Sequence, residues 1–243
     1  MSRLCVLLPA YNEAANIERV VRAVLAVPLV GVERTVLVVD DGSRDDTAKL
    51  ARAAGAVVVS HSPNRGVGAA FRTGVEWARA HDMDFLVHMD SDGQIDPAEI
   101  PLLLAPVASG EADLAVGSRF APGAPPSLGG WKAEGLRWTA RAVGALTGQR
   151  LSDLSCGFRC MNRRVFERIS PSFDFDYIQE VLIQALAIGA RVVEVPVSVS
   201  YDVPGRRPGM SARVVRYGTR FLGLTAWALG GFYLERARQR MTR

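Results

Sequence analysis

Cysteine is scarce in this sequence, with three residues among 243. Cys5 lies in an apolar run, and Cys156 and Cys160 lie four residues apart without a partnering cluster of histidines or cysteines. That spacing is poor for zinc, and an odd number of cysteines leaves one thiol over from any disulfide scheme. The sequence therefore argues against a zinc site or disulfide scaffold and favours a reducing, cytoplasmic setting.

Long uncharged apolar stretches are also lacking. The longest near the C-terminus, residues 221–234, has 14 residues, whereas about 20 are needed to span a bilayer. No basic region followed by an apolar stretch opens the chain, so we expect no secretory signal. We expect residues 221–234 to lie in a membrane interface as an amphipathic helix, with a core helix as the alternative.

Several nucleotide-binding and hydrolase motifs are absent. The sequence has no Walker-type P-loop and no Gly-x-Ser-x-Gly elbow. No Gly-x-Gly-x-x-Gly follows the first predicted strand, which argues against a nicotinamide-dependent oxidoreductase. Residues 64–68 (Asn-Arg-Gly-Val-Gly) could bring backbone close to a phosphate at a helix start, but they lack the third glycine of that motif.

The net charge of +4 is unevenly distributed. Residues 206–243 hold nine arginines and one acid, Glu235, so this segment carries +8 and the remainder −4. A basic end on a mildly acidic body predicts an anionic partner, although a solvated arginine-rich helix face is the alternative. Few aromatic residues interleave these arginines, which argues against nucleic acid and favours an anionic membrane surface.

Apolar runs typical of buried strands alternate with segments of helical spacing. Strands are predicted over residues 4–8, 35–39, 56–60, 85–89, 114–116 and 192–199, and helices over 12–27, 47–54, 68–81, 97–107, 131–146 and 214–240. The strands are apolar throughout, as expected when helices cover both faces of a sheet. The sequence therefore predicts an α/β fold with a mainly parallel central sheet flanked by helices.

Acidic residues follow two of the predicted strands, at the edge where such sheets bind ligands. Asp90 and Asp92 come directly after the fourth strand, and Gln94 offers a third oxygen. These hard ligands suit Mg²⁺ or Mn²⁺, and Mg²⁺ is commonly held between one or two carboxylates and substrate phosphates. Asp40 and Asp41 close a neighbouring strand, although Asp-Asp-Gly-Ser is also ordinary turn chemistry.

The order and spacing of several short stretches resemble the family 2 glycosyltransferases, which carry the GT-A nucleotide-sugar-binding fold. The stretches are residues 9–13, 38–43, 64–68, 89–97, 117–120, 153–159 and 194–197. Within the family, Asp-x-Asp-x-Gln at residues 90–94 and Arg-x-x-Gly-x-Ser at residues 206–211 resemble the dolichol-phosphate or polyprenyl-phosphate mannose synthases. Ala212 stands where that group has lysine.

The resemblance implies a role for each matching residue. The nucleotide sugar would be bound by Pro9, Tyr11, Glu13, Val38, Asp40, Asp90, Ser91, Asp92 and Gln94. Asp90, Asp92 and Gln94 would hold the metal, Mg²⁺ or Mn²⁺, on the diphosphate. Arg206 would cover the donor diphosphate. Asp92, Arg119 and Arg137 are the catalytic candidates, the two arginines meeting the acceptor phosphate.

The resemblance also implies a reaction. We expect inverting, metal-dependent transfer of a hexose, with mannose favoured, from GDP-mannose or UDP-glucose to a polyprenyl phosphate at the cytoplasmic membrane face. A lipid phosphate is already an oxyanion and needs no general base. Asp153 and Glu180 are the candidate bases if the acceptor is a hydroxyl.

The sequence also predicts how the chain is divided into segments, and it leaves two alternative functions open. Residues 1–212 are predicted to form the GT-A domain, and residues 213–243 a basic amphipathic helical segment, peripheral at the membrane. One alternative is a family 2 enzyme that uses UDP-glucose or another donor and a hydroxyl acceptor. Another is a non-catalytic nucleotide-sugar-binding protein. The sequence leaves open whether a separate membrane subunit presents the acceptor.

Overall fold

The computed structural model of the protein describes residues 1–125, 130–172, 177–201, 230 and 232–233, apart from the side chain of Lys132. The strands are β1 Ser2–Ala10, β2 Val32–Asp40, β3 Val57–Ser60, β4 Phe85–His88, β5 Leu114–Ser118, β6 Arg159–Asn162 and β7 Val192–Pro196. The helices are α1 Ile17–Ala26, α2 Thr47–Ala53, α3 Val67–Ala80, α4 Ile100–Ala108, α5 Gly130–Thr147, α6 Arg163–Phe166 and α7 Tyr177–Ala187, with a 3₁₀ turn at Pro97–Glu99 before α4.

In the described parts of the chain, seven strands form one sheet in the order β3-β2-β1-β4-β6-β5-β7. The strands run parallel except β6, which is antiparallel to both neighbours, β4 and β5. The predicted α/β fold with a mainly parallel sheet is therefore confirmed. Parallel pairing of β1 with β2 and β4 brings the carboxyl ends of these three strands to one edge.

Strand β6 was not predicted from the sequence, because it begins with a charged residue and is four residues long. Arg159 is nevertheless buried, and its guanidinium donates hydrogen bonds to the carbonyl oxygens of Cys156, Leu154 and Ile178. These acceptors satisfy a charged side chain inside the protein. Burial lowers the pKa of Arg159 to about 10, still well above neutral pH.

The apolar core lies in two layers, one on each face of the sheet. Successive residues of β1 point to opposite faces, so Leu7 packs in one layer and Leu8 in the other. Helices α3, α5, α6 and α7 contribute to the Leu7 layer, and α1, α2 and α4 to the Leu8 layer. This two-sided burial explains why the strands are apolar throughout.

The C-terminal predictions fall mostly on residues 202–243, which lie largely outside the described residues, as does the boundary predicted at residue 212. Phe232, from the apolar stretch 221–234, is 2% exposed and packs in the Leu7 core layer. The core alternative therefore holds for this residue. Tyr233 beside it donates a hydrogen bond to the carbonyl of Leu146 at 2.6 Å. No described helix has the length and apolarity needed to cross a bilayer.

Asp113 ties the start of β5 to the neighbouring β7 and β6. Its carboxylate accepts hydrogen bonds from the Arg191 backbone N–H at 2.9 Å, the Arg191 guanidinium at 3.1 Å and Asn162 Nδ2 at 2.9 Å. Burial opposes ionisation, but these bonds outweigh it and lower the pKa of Asp113 to about 2. The ionised carboxylate therefore stabilises the fold.

We expect the contribution of Asp113 to disappear in acid. Its folded-state pKa lies below the ordinary value of 3.8, so the stabilisation is present above about pH 4 and is lost as the pH falls toward 2. At neutral pH it amounts to about 2 kcal/mol. Urea unfolding of the wild type and Asp113→Asn, at about pH 7 and about pH 3, measures this. A difference in free energy of unfolding that stays equal at both pH values would contradict it.

Candidate active site

The loops that follow β1 and β2 are held together by hydrogen bonds at the carboxyl edge of the sheet. The Asn12 backbone N–H donates to Ser43 Oγ at 2.9 Å, and the Glu13 N–H donates to Thr47 Oγ1 at 2.8 Å. Asn12 adopts a left-handed φ of 57°. Because of these bonds and this φ, helix α1 begins at Ile17 and not at residue 12 as predicted.

The predicted nucleotide-binding residues take different positions in these loops. The Tyr11 side chain is 43% exposed and projects from the edge. Glu13 is half-buried and accepts a hydrogen bond from Asn16 Nδ2 at 3.1 Å. Pro9 and Val38 are buried in their strands. Val38 is paired with Leu8 of β1 and Val58 of β3, so it lies inside the sheet, below the exposed edge.

Asp40 and Asp41 are adjacent but have different surroundings. Asp41 accepts hydrogen bonds from the backbone N–H groups of Arg65 at 2.9 Å and Gly66 at 2.8 Å, and it lies 2.7 Å from His61 Nδ1. It therefore holds the loop before α3. Asp40 accepts from the Ser43 backbone N–H at 3.1 Å and lies at the edge of the sheet.

Gly42 lets this loop approach closely. Its φ of +74° is one that other residues rarely adopt, and a Cβ there would lie 2.9 Å from the Asn64 backbone nitrogen. Residues 40–43 therefore form the turn that their sequence suggests, and Gly42 lets this turn pack against the loop that contains Asn64.

The loop after β4 carries the predicted metal ligands. Ser91 is buried and donates a hydrogen bond to the Pro9 carbonyl at 2.7 Å, which fixes this loop to the end of β1. Asp92 is half-buried, and its Oδ1 accepts from the Gln94 backbone N–H at 3.0 Å. Ser91 thus holds the loop in place, while Asp90, Asp92 and Gln94 lie around it.

Asp90 has the surroundings of a carboxylate that needs a cation. Within the described residues, no side chain or backbone group donates a hydrogen bond to it. Burial raises its pKa, and the charge of Arg119 partly offsets that rise. A bound divalent cation would favour the ionised form in the same way, so this residue fits a metal-binding role.

The metal site would not be built from protein carboxylates alone. Over the part of the chain that the structure describes, no group of three or more His, Cys, Asp and Glu side chains is placed to hold a metal. Asp90 and Asp92 offer two carboxylates, and Gln94 an amide oxygen. Mg²⁺ is commonly held by one or two carboxylates together with substrate phosphates and water, so the residues present fit that arrangement.

Gly157 makes room for Asp90. A Cβ at this position would lie 3.1 Å from Asp90 Oδ2 and 3.2 Å from Oδ1. The Gly157 carbonyl lies 2.5 Å from His88 Nδ1, whose ring also contacts Tyr177 Oη at 2.9 Å through Nε2. Burial lowers the pKa of His88 to about 4, so the ring is neutral at neutral pH. Nδ1 therefore donates to the carbonyl, and Nε2 accepts from Tyr177.

We expect Gly157→Ala to lower activity at this site about a hundredfold, because shifting the Asp90 carboxylate by a fraction of an ångström would misplace the groups that it positions. The φ of Gly157 lies outside the left-handed region, so alanine is permitted by the backbone and the effect is steric. Gly135→Ala is the matched control, since a Cβ there meets nothing within 4 Å. Titration calorimetry of a nucleotide sugar with Mn²⁺ measures the binding affinity that the same displacement should lower. Equal donor affinity in both variants would contradict this role.

Arg119 forms a buried ion pair with Asp153. Nε of Arg119 donates to Asp153 Oδ2 at 2.7 Å and Nη2 to Oδ1 at 2.9 Å, with the side chains 13% and 0% exposed. Nη1 also donates to the hydroxyl of Tyr201 at 3.1 Å. Burial alone would lower the pKa of Arg119, but Asp153 raises it above its ordinary value. Arg119 is therefore a fixed positive charge at this edge.

Phe120 brings the two predicted acceptor-binding arginines together. The Cζ atoms of Arg137 and Arg119 lie 4.8 Å and 5.6 Å from the centroid of its ring. Arg137 also donates to Glu134 at 2.7 Å. These two arginines, from a loop and from α5, therefore share one aromatic surface, as cation–π contacts favour. Arg206 lies outside the described residues.

Residues that were not identified from the sequence support the ion pair of Arg119 and Asp153. Glu194 of β7 accepts hydrogen bonds from the backbone N–H groups of Ser152 at 2.8 Å and Asp153 at 3.0 Å. The chain after β7 runs beside the loop of Asp90, Asp92 and Gln94, where the Ser200 N–H donates to the Gln94 carbonyl at 2.8 Å. That course brings Tyr201 to Arg119. The Glu-Val-Pro motif marked this strand, but nothing in the sequence indicated where its glutamate would bind.

Residues 5–170 match the family model described as Glycosyl transferase family 2. The chain belongs to that family, and the protein is a glycosyltransferase with the GT-A fold. The resemblance inferred from the short stretches is confirmed. The prediction that the protein is an enzyme, and not a non-catalytic binding protein, is also confirmed.

Two curated relatives act on lipid phosphates according to their names. Polyprenol monophosphomannose synthase of Mycolicibacterium smegmatis is 35% identical over 208 residues, covering 81% of this chain and 77% of the relative. Undecaprenyl-phosphate mannosyltransferase of Micrococcus luteus is 30% identical over 238 residues, covering 93% of this chain and 94% of the relative. This chain is therefore similar to both over most of its length.

Among solved structures, glucosyl-3-phosphoglycerate synthase of Mycobacterium tuberculosis shares the fold. Its complex with Mg²⁺ and UDP is 26% identical with a TM-score of 0.72, covering 95% of this chain and 80% of that one. Its complex with Mn²⁺, UDP-glucose and phosphoglyceric acid has the same identity and TM-score, covering 94% and 80%. The divalent ion, the nucleotide and the nucleotide sugar belong to the complexes of that protein.

Proposed function

We propose that this glycosyltransferase moves a hexose, with mannose favoured, from a nucleotide diphosphate sugar to a polyprenyl phosphate at the cytoplasmic face of a membrane, using Mg²⁺ or Mn²⁺. The observation that carries the proposal is the ion pair in which both carboxylate oxygens of Asp153 accept hydrogen bonds from Arg119. A carboxylate locked in a buried bidentate ion pair is a poor general base, so the site suits an acceptor that needs none.

The second candidate base is also engaged. Glu180 is 2% exposed and accepts hydrogen bonds from the Ser172 backbone N–H at 2.8 Å and from Gln184 Nε2 at 2.9 Å. Asp153 has its pKa lowered, because the bonds from Arg119 outweigh the effect of burial. Neither carboxyl is placed to take a proton from a hydroxyl, whereas a phosphate oxyanion requires only positioning by cations.

On the acceptor side, Arg119 and Arg137 would receive the lipid phosphate. Both guanidinium groups lie against the Phe120 ring. Arg119 is held rigid by Asp153 and Tyr201, so little side-chain freedom is lost when a phosphate binds. Arg137 is more exposed and can adjust to the acceptor. Guanidinium groups form strong charge-assisted hydrogen bonds to phosphate.

On the donor side, Tyr11, Glu13 and Asp40 would line the nucleotide pocket, with Pro9 and Val38 in the strands below them. Asp90, Asp92 and Gln94 would hold the divalent ion, with Ser91 fixing their loop. When bound, the ion supplies positive charge that stabilises the diphosphate leaving group. Arg206 would add to that charge from the segment after β7.

The reaction is a single displacement with inversion. An oxygen of the lipid phosphate attacks the anomeric carbon and forms the new glycosidic bond. The bond from that carbon to the diphosphate oxygen breaks, and its electron pair leaves with the nucleoside diphosphate. Arg119 and Arg137 position the attacking oxygen, so the rate depends on orientation and charge and not on proton removal.

Residues 1–212 would form the catalytic domain, and residues 213–243 a basic segment that keeps it peripheral at an anionic membrane. The excess of arginine in residues 206–243 supports this arrangement. Each arginine near an anionic surface contributes about 1 kcal/mol of attraction, which salt screens.

A parallel donor assay tests the proposal. GDP-mannose and UDP-glucose are offered separately with Mg²⁺ or Mn²⁺, each with and without a short-chain polyprenyl phosphate. Sugar that enters the lipid only with metal, and from GDP-mannose in preference, is the expected result. Metal-dependent donor binding without lipid transfer would overturn the proposed acceptor and keep the enzyme class.

A second candidate function keeps the fold and changes both substrates. The M. tuberculosis structure binds UDP-glucose and phosphoglyceric acid, so a UDP-glucose-dependent enzyme with a hydroxyl acceptor is the competing proposal. Its donor preference separates it from the first. Transfer from UDP-glucose to a small hydroxylated acid, with none to the lipid, would establish it.

A further inference from the structure

Helix α5 presents its large apolar residues outward. Trp131, Trp138 and Leu146 are 73%, 67% and 52% exposed, and their spacing of seven and eight residues places them on one side of the helix. The inward side buries the smaller Ala140 and Val143. A surface helix of a soluble protein has the opposite pattern, with its bulky apolar residues inside. Exposed apolar surface of this kind marks an interaction site.

Positive charge accompanies this apolar surface. Arg141 is exposed, and its Cζ lies 5.9 Å from the centroid of the Trp138 ring. Tyr233 is 51% exposed and donates to the Leu146 carbonyl at the end of the helix. The sequence continues from Tyr233 into four arginines, at positions 236, 238, 240 and 243. Tryptophan, tyrosine and arginine together are typical of the boundary between lipid headgroups and acyl chains.

The same helix reaches the proposed acceptor site. Arg137, next to Trp138 in sequence, lies 4.8 Å from the Phe120 ring that Arg119 also contacts. The residue proposed to hold the acceptor phosphate therefore neighbours a residue suited to the headgroup level of a bilayer. An acceptor with its tail in the membrane could reach Arg119 and Arg137 without leaving the lipid.

We propose that the α5 outer face, formed by Trp131, Trp138, Arg141 and Leu146, docks the enzyme on an anionic lipid bilayer. Docking sets the depth at which Arg137 and Arg119 meet the phosphate of a membrane-embedded acceptor. This inference rests on the proposed function, because it assumes that the acceptor is a lipid phosphate. It assigns the membrane contact to a helix of the catalytic domain, in addition to the basic C-terminal segment.

Vesicle sedimentation tests the surface independently of transfer. The probe is phosphatidylcholine vesicles with about one third phosphatidylglycerol at low salt. We expect Trp131→Ser/Trp138→Ser to bind at least about tenfold more weakly than the wild type. Val30→Ser/Leu102→Ser is the matched control, because those side chains are 99% and 52% exposed elsewhere on the surface. The control should bind like the wild type, and thermal unfolding checks that all variants are folded.

Two acceptor formats keep the failure of docking apart from the failure of the proposed function. The tryptophan variant should lose transfer to polyprenyl phosphate in vesicles and keep transfer to a short-chain, water-soluble analogue. Wild-type-like vesicle binding by this variant would overturn the docking surface, whatever the acceptor proves to be. So would a wild-type dimer that the variant dissociates, because the face would then bind a second copy. Vesicle binding that depends on the tryptophans, with no transfer to either acceptor, would overturn the proposed function alone.

Discussion

Replacing Asp92 by asparagine is expected to lower hexose transfer about a thousandfold, because it removes one of two carboxylates proposed to hold the divalent ion on the leaving diphosphate. The substitution is conservative in shape. Asp92 Oδ1 accepts a hydrogen bond from the Gln94 backbone N–H, and the amide oxygen of asparagine accepts it equally. The loop should therefore keep its conformation, and the loss should arise from charge.

The matched control for this variant is Asp96→Asn. Asp96 lies in the same loop, is exposed, and accepts from the Ala98 N–H at 2.9 Å to cap the 3₁₀ turn. Asparagine caps equally well, so this variant should transfer like the wild type. Initial rates at saturating donor, with calorimetry of Mn²⁺-dependent donor binding, measure both variants. If Asp92→Asn kept more than a tenth of the wild-type rate, the assignment of Asp92 to the metal would be wrong.

Replacing Arg119 by alanine is expected to abolish transfer and to destabilise the protein by about 3–5 kcal/mol. Asp153 is fully buried, and removing the guanidinium leaves its charge buried with neutral hydrogen-bond donors only, among them the Ser155 N–H and hydroxyl. Arg163→Ala is the stability control, since its ion pair with Asp82 lies at the surface, with side chains 36% and 70% exposed. That change should cost well under about 1 kcal/mol. Urea unfolding compares the free energies of unfolding.

A double variant separates folding from catalysis at this position. Arg119→Met/Asp153→Leu removes both charges and should recover most of the lost stability, because an apolar pair replaces the ion pair. It should not recover transfer, because the acceptor phosphate then lacks its fixed cation. A double variant that transfers at the wild-type rate would show that Arg119 only holds the loop together. A single variant as stable as the wild type would contradict the buried pair itself.

Local patterns were enough to predict the parallel part of the sheet. The runs at β1, β2 and β4 are apolar throughout, and the carboxylates of Asp40, Asp90 and Asp92 follow two of them directly. Since parallel strands end at the same edge, their register brings these loops together without further information. The proximity of these loops could therefore be predicted from the strand assignment alone.

Contacts distant in sequence were not predictable in this way. Asp153 lies 34 residues from Arg119, and the Gly157 carbonyl lies 69 residues from His88. The first contact depends on β6 pairing antiparallel with β5 and the second on β6 pairing antiparallel with β4, and β6 has no apolar run to mark it. Asp153 could be expected only as a candidate base. The fold instead commits it to an ion pair, which changes the chemistry that the site supports.

Comparing polyprenyl phosphate with the free polyprenol of the same chain length, under identical donor and metal conditions, tests most directly whether the acceptor is an oxyanion. With Asp153 and Glu180 both engaged, only the phosphate is expected to take up labelled sugar, and the alcohol should stay at background. Comparable transfer to the free alcohol would contradict this, since it would require a general base that neither Asp153 nor Glu180 provides.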